Sequence, residues 1–176
     1  MLLIGCATFA KAQRNAASPD KIRLPEGFKI ELLYTVPRDK QGSWVAMCLD
    51  DKNRLIVSDQ YGGLYRFAVP GPGKPLNPGN IEPITYSADA PARKKGRKSA
   101  KDIPKKAAPI KSSLPIIGHA QGLCYAFESL YVVVNSRSSS TGSGVFRLLD
   151  TNGDDKYDKV VTIKKLDATG GEHGPH

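Results

Sequence analysis

The sequence is short of the residues that usually anchor metals, disulfides and redox groups. Among 176 residues there are three His, three Cys, two Met and one Trp. Three cysteines cannot build the multi-bridge framework of a small secreted domain. None of them stands in a Cys-x-x-Cys-His run, so the chain carries no haem c attachment of its own. No apolar stretch approaches the roughly 18 residues that a membrane-spanning helix needs. Helical periodicity is absent after the leader, which argues against a bundle or an α/β layer. Acids are outnumbered, 17 against 26 Lys and Arg, for a formal charge of +9.

That charge is local. Between Arg93 and Lys111 lie nine Lys and Arg against the single acid Asp102, which accounts for almost all of the excess. The remainder is nearly neutral, so the basicity belongs to one segment and not to the fold. The segment lacks the interleaved aromatics of a nucleic-acid arm, and nucleic acid is not an expected partner.

What is present is turn chemistry and short apolar runs. Seventeen Gly and thirteen Pro punctuate the chain. Period-2 patterning predicts strands at 28–34, 44–49, 54–58, 63–69, 122–127, 130–135, 145–149 and 159–165, with a short one within 81–86. Asp50-Asp-Lys-Asn53 reads as a tight polar turn, and Pro37 to Gly42 as another. A module of apolar strand, polar turn, apolar strand and Gly-Leu-Tyr-Arg66 recurs as 122–149, ending in Gly-Val-Phe-Arg147. Internal repetition of this kind implies a radial or solenoid architecture. The fold class is therefore all-β: a partial β-propeller, about two blades of antiparallel meander. Residues 1–21 form an export leader and a loose N-terminus, and 22–176 an incomplete propeller domain with an insertion at 70–114. Within the insertion, 88–113 is charged, Pro-rich and nearly free of core-forming side chains, so disorder is expected there.

The leader, Met1-Leu-Leu-Ile-Gly-Cys-Ala-Thr-Phe-Ala-Lys-Ala12, is a short apolar stretch with a small-x-small ending of the signal-peptidase kind. Leu3-Ile-Gly-Cys6 also has the form of a lipobox, which would tie the protein to a membrane through a lipidated Cys6. The expected location is periplasmic or extracellular. Cys48 and Cys124 both fall in apolar strand-like runs and read as buried free thiols, with a disulfide as the alternative in an oxidising compartment.

Three places could carry chemistry. Asp150, Asn152, Asp154 and Asp158 offer oxygen donors at alternating positions, as a calcium loop does. The loop departs from the EF-hand pattern at Asp155, where Gly is expected, and at Val161, where a bidentate Glu is expected. A turn built on Asn152-Gly153 explains the same residues. His119 and Gln121 precede an apolar strand, and polar groups where strands enter a propeller channel are candidate cofactor contacts; backbone bonding of the His119 ring is the alternative. His173, beside Glu172 and flanked by glycines, has the makings of a general base, or of a polar terminal turn.

Taken in order, Leu24-Pro-Glu-Gly-Phe-Lys-Ile30, the 50–66 module, Gly118-His-Ala-Gln-Gly122, Asp150-Thr-Asn-Gly-Asp154 and Gly171-Glu-His-Gly-Pro-His176 resemble a known family. It is the N-terminal part of quinoprotein glucose/sorbosone dehydrogenase-like propellers. The large secreted planctomycete- and verrucomicrobium-type versions, often fused to a haem-binding cytochrome c domain, are the most similar. The resemblance implies a six-bladed ring, pyrroloquinoline quinone (PQQ) beside calcium, and a sugar or alcohol substrate. His173 matches the base that takes the substrate's hydroxyl proton, and haem c would belong to a downstream domain. The alternative is a non-catalytic propeller module for ligand or protein binding.

Overall fold

The computed structural model describes residues 17–84, 117–136 and 141–167. It is all-β: two four-stranded antiparallel sheets, each a meander with its strands in chain order. The first holds β1 (Trp44–Leu49), β2 (Arg54–Asp59), β3 (Leu64–Ala68) and β4 (Glu82–Pro83). The second holds β5 (Ala120–Ala126), β6 (Ser129–Val134), β7 (Gly144–Leu149) and β8 (Lys159–Lys165). No helix among the described residues is long and apolar enough to cross a membrane.

Turn chemistry sets where strands begin and end. Asp50, buried, accepts backbone N–H bonds from Lys52 (3.0 Å) and Arg54 (2.8 Å), and Asn53 takes a left-handed φ of 56°. Short polar side chains tolerate that region and close such turns. The β5–β6 turn is tighter. Phe127 and Glu128 alone connect the strands, at φ 49° and 53°, a conformation that ordinarily recruits Asn-Gly.

The repeat seen in the sequence is a repeat of register. Cys48, Ile56 and Arg66 stand across from one another in the first sheet, and Cys124, Tyr131 and Arg147 do so in the second. The neighbouring rows correspond as well: Met47–Val57–Tyr65 matches Leu123–Val132–Phe146. Side chains alternate faces along a strand, so matched rows face the same way. The second sheet sends Leu130, Val132, Phe146 and Leu148 into a core shared with Ile56 and Leu64 of the first. In the first sheet the equivalent face, with Val57 and Phe67, is covered instead by Leu76, Ile81, Tyr34 and Trp44. The sheets thus stack head to tail, the second repeating the orientation of the first, with β5 against β1 and β2.

The part of the 70–114 span that is described belongs to the first sheet. Leu76 and Ile81 join its core, Ile84 joins the shared core, and Glu82–Pro83 pairs with Tyr65 and Arg66 as the fourth strand. The basic segment expected to be disordered, the leader with Cys6, and His173 lie outside the described residues.

Two expectations are corrected. Residues 28–34 form no strand. They run between the turn at Gly27 (φ 84°) and Pro37 with no ladder to join. Leu33 offers one carbonyl to the Leu76 amide (3.1 Å), Tyr34 packs into the second core, and Phe28 and Leu32 stay exposed. The two thiols are free, but only Cys48 is half-buried, and Cys124 is exposed. Leu123 and Tyr125 pack on the shared core, so period 2 turns Cys124 to the other face.

Candidate functional site

The candidate residues lie at opposite ends of the second sheet. His119 immediately precedes β5 and has a left-handed φ of 61°. Its N–H donates to the Gly62 carbonyl (3.2 Å), its carbonyl accepts from the Asn135 amide (3.4 Å), and its ring meets Tyr61 edge-on. Backbone bonds to the Tyr61–Gly63 turn and to β6 therefore fix where the imidazole stands. Gln121 follows, half-buried at the bulge between Ala120 and Gly122. Nearby, the Asp59 carboxylate accepts from the amides of Ser43 (2.9 Å) and Tyr61 (3.3 Å), and a Cβ at Gly42 or Gly62 would collide with it. Glycine is required at both positions by that close approach.

The Asp150–Asp158 loop joins β7 to β8 at the other end of the sheet, roughly 20 Å away by the strand rise along β5. The structure does not bring His119 and Gln121 together with Asp150, Asn152, Asp154 and Asp158. Within the loop the side-chain oxygens serve the loop's own amides. Asp150 accepts from Gly153 (2.8 Å), Asp154 (3.3 Å) and Asp155 (2.7 Å), and Asn152 accepts from Asp154 (3.0 Å). Asp154 accepts from Lys156 (3.0 Å), and Asp158 takes both the amide and the hydroxyl of Thr151. Among the described residues no group of three or more His, Cys, Asp or Glu side chains is arranged to hold a metal ion.

Sequence reasoning passed over what this loop meets. Arg54 presents its two terminal guanidinium nitrogens to Asp155, at 2.5 Å and 2.7 Å, in a bidentate fork. Arg66 adds a contact to the Asp155 carboxylate (3.2 Å) and one to its carbonyl (3.2 Å), and Lys52 lies 3.0 Å from the same carboxylate. Asp50 holds the Arg54 Nε (2.8 Å), and Glu82 holds the Arg66 Nε (2.8 Å). Asp50, Lys52, Arg54, Arg66 and Asp155 line an open cleft of about 250 Å³ together with Tyr125 and Tyr157. Two signals were available: a charged residue at the glycine position of the loop, and arginines within otherwise apolar strands.

The electrostatics suit fastening better than proton transfer. Arg54, hydrogen-bonded to it, holds the Asp155 carboxyl far below the usual carboxylate range, assisted by Lys52 and Arg66 against partial burial. The Arg54 guanidinium is in turn pushed further up by Asp155. Burial, with a hydrogen bond to Asp51, pushes the Tyr125 hydroxyl up to about 12, and burial raises that of Tyr157 as well. None of these four groups changes protonation near neutral pH, which general acid–base chemistry requires.

No protein-family model, curated protein or solved structure matches the chain.

Proposed function

We propose that residues 22–176 are the opening two blades of a secreted, quinoprotein dehydrogenase-like β-propeller, and that this polypeptide alone turns over no substrate. The observation that carries the reading is the row-by-row register repeat with head-to-tail stacking. A unit that repeats its own orientation is what a ring of blades requires, and such rings take about 4–8 of them. In the complete ring, His119 and Gln121 would be this chain's contribution at the channel end of β5, and His173 would accept the hydroxyl proton of a sugar or alcohol.

PQQ is a polycarboxylate and needs cationic partners. Arg54 and Arg66 stand at the far end from His119 and are already committed to Asp155. In this reading residues other than these two arginines would meet the quinone's carboxylates, and haem c would belong to a downstream domain.

The test is dye reduction by the purified chain with aldoses and alcohols, with and without PQQ and calcium, beside a His173→Ala control. No quinone-dependent turnover is expected. Turnover that needs the quinone and vanishes in His173→Ala would show that two blades suffice. The non-catalytic alternative separates from this reading in the parent coding sequence. Further blades and a Cys-x-x-Cys-His motif downstream support the dehydrogenase, and their absence supports a binding module.

A further inference from the structure

We infer that the β7–β8 loop is an arginine-held clasp that fixes how the second sheet sits on the first, and that it does so without a metal ion. The inference stands apart from the dehydrogenase reading, because it concerns only the two sheets in hand.

Asp155 takes a φ of 68°, in the region that glycine occupies freely and most side chains avoid. A non-glycine residue persists there when its surroundings over-determine it. The surroundings here are specific: the Asp155 amide is tied to the Asp150 carboxylate (2.7 Å), and its own carboxylate receives Arg54, Arg66 and Lys52. Glycine in this position would relax the loop and lose all three cations.

Arg54 lies on β2 and Arg66 on β3, on the face of the first sheet that carries Ile56 into the shared core. Asp155 comes from the second sheet's last connection, 101 residues beyond Arg54. One carboxylate therefore ties two strands of one sheet to the far hairpin of the other, while β5 packs on β1 and β2. Asp50 and Glu82 hold the two guanidinium groups through Nε, which leaves their terminal nitrogens for Asp155.

Asp150, Asn152, Asp154 and Asp158 shape the loop through its own amides, which presents Asp155 outward to the arginines. The loop's rigidity comes from these bonds and the clasp.

The experiment is thermal unfolding of the full chain with millimolar calcium and with chelator, for wild type, Asp155→Gly, Asp155→Asn, Arg54→Gln and the Arg54→Gln/Asp155→Asn pair. Calcium and chelator should leave the wild-type midpoint within about 1 °C of one another. Asp155→Gly should melt below wild type by about 4 °C or more despite its relaxed backbone, and Asp155→Asn likewise. The double variant should lose less than the sum of the two single losses, because both substitutions remove the shared Arg54–Asp155 fork. Should Asp155→Gly fail to fold, Arg54→Lys, which keeps the charge but loses the fork, takes its place and must also melt below wild type. A calcium-dependent rise of several degrees in wild type, or an Asp155→Gly chain as stable as wild type, overturns the inference.

Discussion

Arg66 and Arg147 stand at the same point of two matching ladders, one across from Ile56 and the other across from Tyr131. Arg66 is buried, braced by Glu82, and reaches the loop of the next sheet. Arg147 is half-buried and turns back on its own sheet, with its Nε on the Ser129 hydroxyl (3.0 Å) and its guanidinium over the Tyr131 ring. The backbone positions are equivalent, so the difference comes from what faces them. The first sheet's arginine looks at a second sheet that brings a carboxylate. Among the described residues, the second sheet's arginine looks at its own neighbours. A repeated residue acquires its role from the opposing surface, and equivalent positions can be compared directly to measure that surface.

The largest contrast is expected in the core. Phe146 and Tyr65 are matched, but Phe146 is 1% exposed in the shared core and Tyr65 only half-buried over the second cluster. Phe146→Ala should cost about 3–5 kcal/mol in urea unfolding, and Tyr65→Ala about half as much. Equal costs would mean that the two faces of the first sheet are packed alike.

Next come the matched thiols. Burial, aided by Cys124 and Asp50, pushes the Cys48 thiol up to about 11, while Cys124 is exposed. At pH 8 only about one Cys48 in a thousand would be thiolate. In a Cys6→Ser background, iodoacetamide should modify Cys124 at least about a hundredfold faster than Cys48. Between pH 8 and 10 the Cys48 rate should climb about tenfold per pH unit, with mass spectrometry as the readout. Similar rates for the two would remove the asymmetry between the matched rows.

The matched arginines follow. Arg66→Ala should cost about 2 kcal/mol, less than a fully buried pair because Asp155 is partly exposed. Arg147→Ala should cost under about 1 kcal/mol. The pH dependence has a definite sign. Asp155 is more acidic folded than unfolded, so its contribution is complete above the ordinary aspartate range, about pH 4. It is lost only as the pH falls well below that. The stability gap between wild type and Asp155→Asn should therefore hold from neutral pH to about pH 4 and narrow below it. A gap that closes nearer neutrality would deny the ion pair its place.

The smallest effect compares the two first hairpins. The first sheet closes its turn with Asn53 at positive φ, a residue suited to it, whereas the second closes its own with Phe127 and Glu128, which are not. Replacing them as Phe127→Asn with Glu128→Gly should stabilise the chain by about 1 kcal/mol. Asn53→Gly should change stability by only a few tenths. A loss on introducing Asn-Gly would show that the exposed Phe127 ring packs on something the strain argument ignores.

The sequence alone determined the strands and their punctuation. Alternation at Trp44–Leu49, Arg54–Asp59 and Gly144–Leu149, and polar turns such as Asp50–Asn53, act over a few residues, and local sterics and hydrogen bonding suffice to read them. The Gly-Leu-Tyr-Arg and Gly-Val-Phe-Arg echo made the two-blade repeat legible for the same reason. Residues 28–34 looked alike locally but found no partner, because a strand needs a neighbour and alternation does not say whether one exists. Asp155 could be seen as the wrong residue for a metal loop. Its meeting with Arg54 and Arg66 was decided only when the second sheet stacked on the first, since a contact across 101 residues has no trace in spacing. The same stacking separated His119 and Gln121 from Asp150, Asn152, Asp154 and Asp158. Which end of a strand a residue occupies is local, but which ends share a site depends on how whole sheets pack.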